Sequence, residues 1–181
     1  IGDSIWCSPC QHSASLSAAS GQNVRLKLEN LQMTGSYKER GALNKILLLT
    51  PEQRSHGVIA ASAGNHAQAI AYHAVRLGIR ATIVMPVTTP HIKVAAVGAR
   101  GAKVVLHGDT YDEADAHSLE LARARKLTIV HPYDDPDVIA GQGTIAMEIL
   151  RQTRRDIDSI FVAIGGGGLI SGIAAYVKRL R

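Results

Sequence analysis

Four short apolar runs punctuate the middle of the chain, at residues 58–62, 81–85, 103–106 and 127–130. Between them lie stretches of helical period, over 66–77, 91–97 and 111–126. A continuous apolar run of this length marks a strand buried on both faces. Strands alternating with helices predict parallel βαβ units with right-handed crossovers. Residues 57–133 therefore read as one compact α/β lobe. Upstream, Leu26 and Leu28 alternate with Lys27 and Glu29, which predicts a half-buried strand over 24–29. A short helix is expected near 13–19. A longer one starts at Ser36, where Ser36 and Glu39 have capping-box spacing, and runs to about 49, where Thr50-Pro51 stops it. Downstream, a polar connection at 134–137 leads to a helix over about 143–152, a strand over 159–164, a glycine run at 165–168 and a last helix to about 180.

Composition narrows the class. Apolar residues make up 46% and charged residues 19%, enough for a buried core and too apolar for disorder. Aromatics are only 4%, against 17 glycines, which suits close helix-on-sheet packing better than an all-β sandwich. The net charge of +5 is dispersed, and no basic-aromatic interleaving marks a nucleic-acid surface. Residues 160–177 carry no charge and approach the length of a membrane span, but the glycines in their middle argue for strand, loop and helix instead. No membrane association is expected. Residues 1–23 lack the pattern of a signal peptide, so a cytoplasmic location is expected. Cys7 and Cys10 spell a thioredoxin-like C-x-x-C, but no βαβ unit encloses them, and no redox role is assigned.

Three stretches carry chemistry. Lys38 falls in the first turn of its expected helix, where the positive end of the macrodipole favours a neutral amine over an ammonium, as Schiff-base chemistry requires. Alone, such a lysine reads as a solvated helix start. Ser62-Ala63-Gly64-Asn65-His66-Ala67-Gln68 joins a strand to a helix. Gly64 allows a tight turn, Asn65 or Ser62 is a candidate cap, and the free N–H groups suit a carboxylate. Gly165-Gly166-Gly167-Gly168-Leu169 repeats that strand-to-helix context, with backbone N–H groups free to close on a phosphate. It is neither a Walker A loop nor a dinucleotide fingerprint, which points to a smaller phosphorylated cofactor. The eight histidines form no ligand cluster, and no metal site is proposed.

A reactive lysine, an asparagine loop and a phosphate cup are together the parts needed to hold pyridoxal 5'-phosphate. Residues 34–42 (TGSYKERGA), 62–68, 140–144 (AGQGT) and 165–169 resemble the threonine/serine dehydratase family, a branch of the fold-type II, tryptophan-synthase-like pyridoxal enzymes. The likeness runs in order from about 24 to 177. It implies an α/β fold of two lobes, each a parallel-rich open sheet with helices on both faces. Residues 57–133 would be the small mobile lobe, and 1–56 with 134–181 part of a larger cofactor-binding lobe whose remainder lies outside this chain. It implies that Lys38 bonds covalently to the cofactor and that Tyr37 packs beside its ring. Asn65 would bond the ring's 3-oxygen, and Gly165, Gly166, Gly167, Gly168 and Leu169 would hold its phosphate. Ser62, Asn65 and His66 would surround the substrate carboxylate. The implied reaction is β-elimination of L-threonine or L-serine to a 2-oxo acid and ammonia, by a homo-oligomer. The alternatives are an inactive relative that binds a ligand or partner without turnover, and a serine-racemase-like enzyme. Against the last stands Ala63, because the racemase branch carries a serine just before its Gly-Asn-His. Trp6–Cys10 also departs from the family pattern, and the family's partner for the pyridine nitrogen has no counterpart before Arg181.

Overall fold

The computed structural model describes residues 1–153 and 157–180. After a single 3-10 turn at Gly2–Ser4, β1 (Cys10–His12), α1 (Ala14–Ser20) and β2 (Arg25–Lys27) form the entry, with β1 and β2 paired antiparallel. Ser13 caps α1 by accepting from the Leu16 N–H, and Gly21 ends it in the left-handed region at φ 69°. The expected 24–29 strand is thus shorter, and its partner β1 has no signal in the apolar pattern. A second 3-10 turn at Glu29–Leu31 leads to α2 (Lys38–Leu47) and α3 (Pro51–His56).

The expected βα rhythm then appears as β3 (Val58–Ala61), α4 (Asn65–Arg76), β4 (Ala81–Met85), α5 (His91–Gly98), β5 (Lys103–Leu106), α6 (Tyr111–Arg125) and β6 (Thr128–Ile129). All three strand pairings are parallel, in the order β5-β4-β3-β6. β3 and β4 are buried along their whole length, which is why they read as unbroken apolar runs. Side chains alternate across the sheet. Val58, Ala60, Ile83 and Met85 face α4, with Ala42 and Ile46 of α2 joining that core. Ile59 and Val84 face α6.

α7 (Pro136–Gln152) and α8 (Gly168–Leu180) complete the chain. α7 begins seven residues before its expected start, because Asp135 caps it and Pro136 occupies its first turn. α2 packs between α4 and α7, and α7 against α8. The α2–α7 approach is close: a Cβ on Gly141 would sit 2.5 Å from the Arg40 carbonyl oxygen and 2.6 Å from Gly41 Cα. Residues 159–164 differ from expectation, having no sheet partner among the described residues. Their period-2 alternation survives, with Ile160 and Val162 packed on the α7–α8 cluster and Phe161 96% exposed. A strand needs a neighbouring backbone as well as an alternating pattern. Among the described residues no helix is long and apolar enough to cross a membrane.

Candidate active site

The strand order defines a crevice. From β3 the chain steps outward to β4 and β5, and β6 then returns to the other side of β3. Ligands of open parallel sheets gather where the order reverses, beyond the carboxyl ends of the strands. Here that point lies between the loop after β3, at 62–64, and the segment after β6, at 130–135.

Lys38 reaches this crevice from α2. Its Nζ donates to the Pro132 carbonyl at 2.7 Å and lies 5.3 Å from the centroid of the Tyr37 ring. Burial lowers its pKa from the ordinary lysine value. The structure thus adds desolvation to the helix-terminus field as a reason for a lowered amine pKa. The expected capping box does not form. Ser36 Oγ accepts from the Lys38 N–H at 3.3 Å, so the helix starts two residues later, with Lys38 as its first residue. Glu39, 1% exposed, turns away from Ser36, accepts from the Thr34 N–H and faces His73 Nε2 at 3.5 Å. The Thr34 N–H, five residues upstream, takes the carboxylate in place of the Ser36 cap.

The 62–68 stretch arrives from the sheet. Ser62 Oγ accepts from the Gly64 N–H at 3.3 Å. Neither Ser62 nor Asn65 caps α4: Gly64 holds the cap position, which has no side-chain bond, and Asn65 is the first helical residue, exposed. The first-turn N–H groups and the Asn65 amide are left open to a ligand. His66 is buried, and its Nε2 lies 2.8 Å from the Val130 carbonyl oxygen. That carbonyl requires an Nε2–H tautomer, leaving Nδ1 an acceptor with no partner. Burial, with the nearby Lys38 and His131 charges, pulls its pKa down to about 4. His66 is neutral at physiological pH.

Gly165–Gly168 close the crevice from the far side. Gly168 opens α8, and Leu169 packs into the cluster that also holds Tyr37. A side chain on Gly166 would run into the Tyr133 ring, and a Cβ on Gly168 would lie 2.5 Å from the Tyr133 carbonyl oxygen. Tyr133 follows Pro132, so one short segment anchors the lysine amine, the buried histidine and the glycine loop. The apolar pattern ends a strand at Val130 and gives no role to Pro132 or Tyr133. Val130 and Pro132 act through backbone carbonyls, which have no side-chain signature, and only the strand order reveals them. A glycine-lined loop at a helix N-terminus, an amine driven toward neutrality and an unpartnered buried acceptor fit a phosphorylated carbonyl cofactor.

The whole chain, residues 1–181, matches the family described as pyridoxal-phosphate dependent enzyme. It is 56% identical over 173 residues to a threonine dehydratase of Nicotiana attenuata, covering 96% of this chain and 29% of that one. It is also 56% identical over 156 residues to a catabolic L-threonine dehydratase of Staphylococcus aureus, covering 86% and 45%. Among solved structures, the processed form of threonine deaminase isoform 2 from Solanum lycopersicum superposes with TM-score 0.94 at 48% identity, over 97% of this chain and 48% of that one. Maize serine racemase superposes with TM-score 0.95 at 37% identity, over 99% and 54%. The chain spans less than half the length of the two dehydratases. A match over every residue, joined to a lysine whose pKa is lowered by burial at the switch-point crevice, makes this chain a member of the pyridoxal-phosphate-dependent enzymes.

Proposed function

We propose that the whole protein converts L-threonine, and L-serine as a second substrate, to a 2-oxo acid and ammonia. The observation that carries this reading is Lys38, whose amine is driven toward its neutral form by burial at the crevice. When bound, pyridoxal phosphate supplies a carbonyl for covalent capture of the amine and a ring that takes up the electron pair left at Cα. Lys38 must first leave the Pro132 carbonyl. Its free amine then acts as nucleophile toward the cofactor; the substrate's amine would later take its place there, and the Lys38 amine so released is the base that removes the Cα proton. The electron pair from the Cα–H bond expels the β-hydroxyl, and the released enamine hydrolyses to the 2-oxo acid and ammonia.

The other residues bind and orient. Ser62, Asn65 and the open N–H groups at the start of α4 receive the substrate carboxylate. The Asn65 amide also reaches the ring's 3-oxygen, and His66, kept neutral, adds no competing charge beside the lysine. Gly165–Gly168 and the Leu169 N–H hold the phosphate, and Tyr37 flanks the ring. Residues 57–133 form the mobile lobe over 1–56 and 134–181. The proposed assembly is a homo-oligomer; the exposed Phe161 and Ile164, at 96% and 69%, lie on the segment where the remainder of the larger lobe would pack. The proposed compartment is the cytoplasm, although relatives from Arabidopsis thaliana and Saccharomyces cerevisiae are named chloroplastic and mitochondrial.

The test is chemical. The chain is incubated with pyridoxal phosphate, reduced with borohydride, digested and analysed by mass spectrometry. The pyridoxyl group is expected on the peptide containing Lys38. Lys38→Ala should keep the far-ultraviolet dichroism of the parent and lose the label. A label on another lysine overturns the assignment.

A further inference from the structure

At the end of the parallel sheet opposite Lys38, a cleft of about 440 Å³ opens below α6, at the starts of β4 and β5. Four basic side chains line it: His56, Arg80, Lys103 and Arg125. None of its lining residues is acidic. The charges come from four separate segments, namely the end of α3, the residue before β4, the first residue of β5 and the last residue of α6.

The sheet register explains why the cleft exists. Lys103 pairs with Thr82, so both side chains point to the face that Val84 and Ile59 present to α6. α6 covers the upper part of that face and stops at Arg125. Lys126 then turns the chain through the left-handed region at φ 55°, and only Leu127 reaches back over the lower part. The floor is left open between Lys103, Thr82 and Arg125.

Helix termini account for only part of the charge. The negative end of α6 answers Arg125 and that of α3 answers His56. Neither explains Arg80 and Lys103, which stand at strand starts. Among the described residues, none of Arg80, Lys103 and Arg125 makes an ion pair. Arg80 is aimed by its own backbone surroundings: Nη2 donates to the Ser55 carbonyl at 2.7 Å and the His56 carbonyl at 3.3 Å, leaving Nε and Nη1 uncommitted. Thr82 supplies an independent sign. It is 7% exposed as a residue and lines the cleft, bringing a hydroxyl to its floor beside Lys103. A hydroxyl donor on the floor, beside cations from separate segments that have no carboxylate partners, suits an anion.

We propose that this cleft binds a small phosphate-bearing anion, with Arg80, Lys103 and Arg125 around its oxygens, the Thr82 hydroxyl donating to one of them, and Leu127 against any apolar body. Donors converging from three segments suit a tetrahedral group, whereas a carboxylate offers two oxygens in one plane. The site stands apart from the cofactor crevice, at the other end of the strands, and does not depend on the reaction proposed above.

The test uses the full chain loaded with pyridoxal phosphate, so that the glycine loop is already filled. Inorganic phosphate and phenyl phosphate are titrated at constant ionic strength, with binding followed by calorimetry and melting temperature. Both are expected to bind saturably, phenyl phosphate more tightly if Leu127 takes the ring. Lys103→Gln combined with Arg125→Gln should weaken binding at least about tenfold. Thr82→Val should weaken it by roughly threefold to tenfold while leaving the unliganded melting temperature unchanged, which diffuse surface charge would not produce. Binding that fails to saturate, that survives in both variants, or that citrate matches at equal ionic strength overturns the proposal.

Discussion

Arg40 is the residue on which the junction between the entry segment, α2 and α7 should depend most. It is fully buried, and all five of its N–H donors find acceptors. Nε and Nη2 fork onto Glu29 at 2.8 Å each, and Nη1 and Nη2 fork onto Glu148 at 2.6 and 2.8 Å. Nη1 also donates to Thr144 Oγ1 at 3.1 Å. Lys27 Nζ completes the network on Glu148 at 2.5 Å and also donates to the Ser8 carbonyl and the Gln152 amide oxygen. Two cations and two carboxylates balance. Arg40→Met leaves Glu148 with Lys27 alone and strips Glu29 of its cation in a poorly solvated place. Breaking a buried pair from one side costs about 3–5 kcal/mol. At about 2–4 °C per kcal/mol for a chain of this size, the melting temperature should fall by roughly 6–20 °C.

Urea unfolding measures this directly, with the midpoint shifting and the slope unchanged. Arg40→Met combined with Glu148→Met leaves Glu29 and Lys27 balanced, so its loss should be smaller than the sum of the single losses by on the order of 2 kcal/mol. The network also fixes a pH dependence. Burial pushes the Glu148 carboxyl up, but hydrogen bonds from Arg40 and Lys27 outweigh this and hold it below the ordinary value of 4.5. Its folded pKa is depressed, so its contribution is present above the ordinary glutamate range and is lost as pH falls through the folded value. Arg40→Met should flatten that acid limb. A parent and variant within about 0.5 kcal/mol of each other, or strictly additive single losses, would refute the reasoning.

Three further outcomes are expected. His66, with its pKa pulled down to about 4 from 6.5, refuses a proton that the unfolded chain accepts. Stability should therefore drop by about 3 kcal/mol as pH falls from 6.5 toward 4, and urea midpoints across that range should show a shallower loss in His66→Gln. Gly141→Ala places a methyl group against the Arg40 carbonyl and should cost about 1–3 kcal/mol in urea unfolding. Gly98→Ala on α5, with nothing within 4 Å, should cost nothing; equal effects of the two would contradict the α2–α7 close approach. If the Ala63 methyl denies the second face of the substrate an acid, the whole protein given L-serine in deuterated water should yield pyruvate without D-serine. Ala63→Ser should then release measurable D-serine, and D-serine from the unaltered protein at the rate of pyruvate would defeat that reading.

What was legible in the sequence depended on whether the deciding contact was local. α6 is bounded by a capping box in which Thr110 accepts from the Glu113 N–H and the Glu113 side chain returns to Thr110, all within four residues, and its start was readable. The same pattern at Ser36 and Glu39 does not cap, because the Glu39 carboxylate accepts from the Thr34 N–H and is buried facing His73 of α4 instead of returning to Ser36. Thr50-Pro51 stopped one helix as expected but also starts α3, with Thr50 and Gln53 capping it and Pro51 in its first turn; a proline that ends a helix also suits the first turn of the next. Lys38, the 62–68 turn and the glycine run were legible because their chemistry resides in contiguous residue types. Their anchors were not. Val130 and Pro132 contribute carbonyl oxygens, which every residue possesses, so identity says nothing about them. Arg40 meets Glu148 only because α2 and α7 approach through Gly41 and Gly141, a contact between residues a hundred positions apart. The position of β6 beside β3, rather than beyond β5, brings the 130–135 segment under the lysine. Had β6 joined the outer edge of the sheet, the same motifs would be present and the Lys38 amine would have no carbonyl to hold it at the crevice.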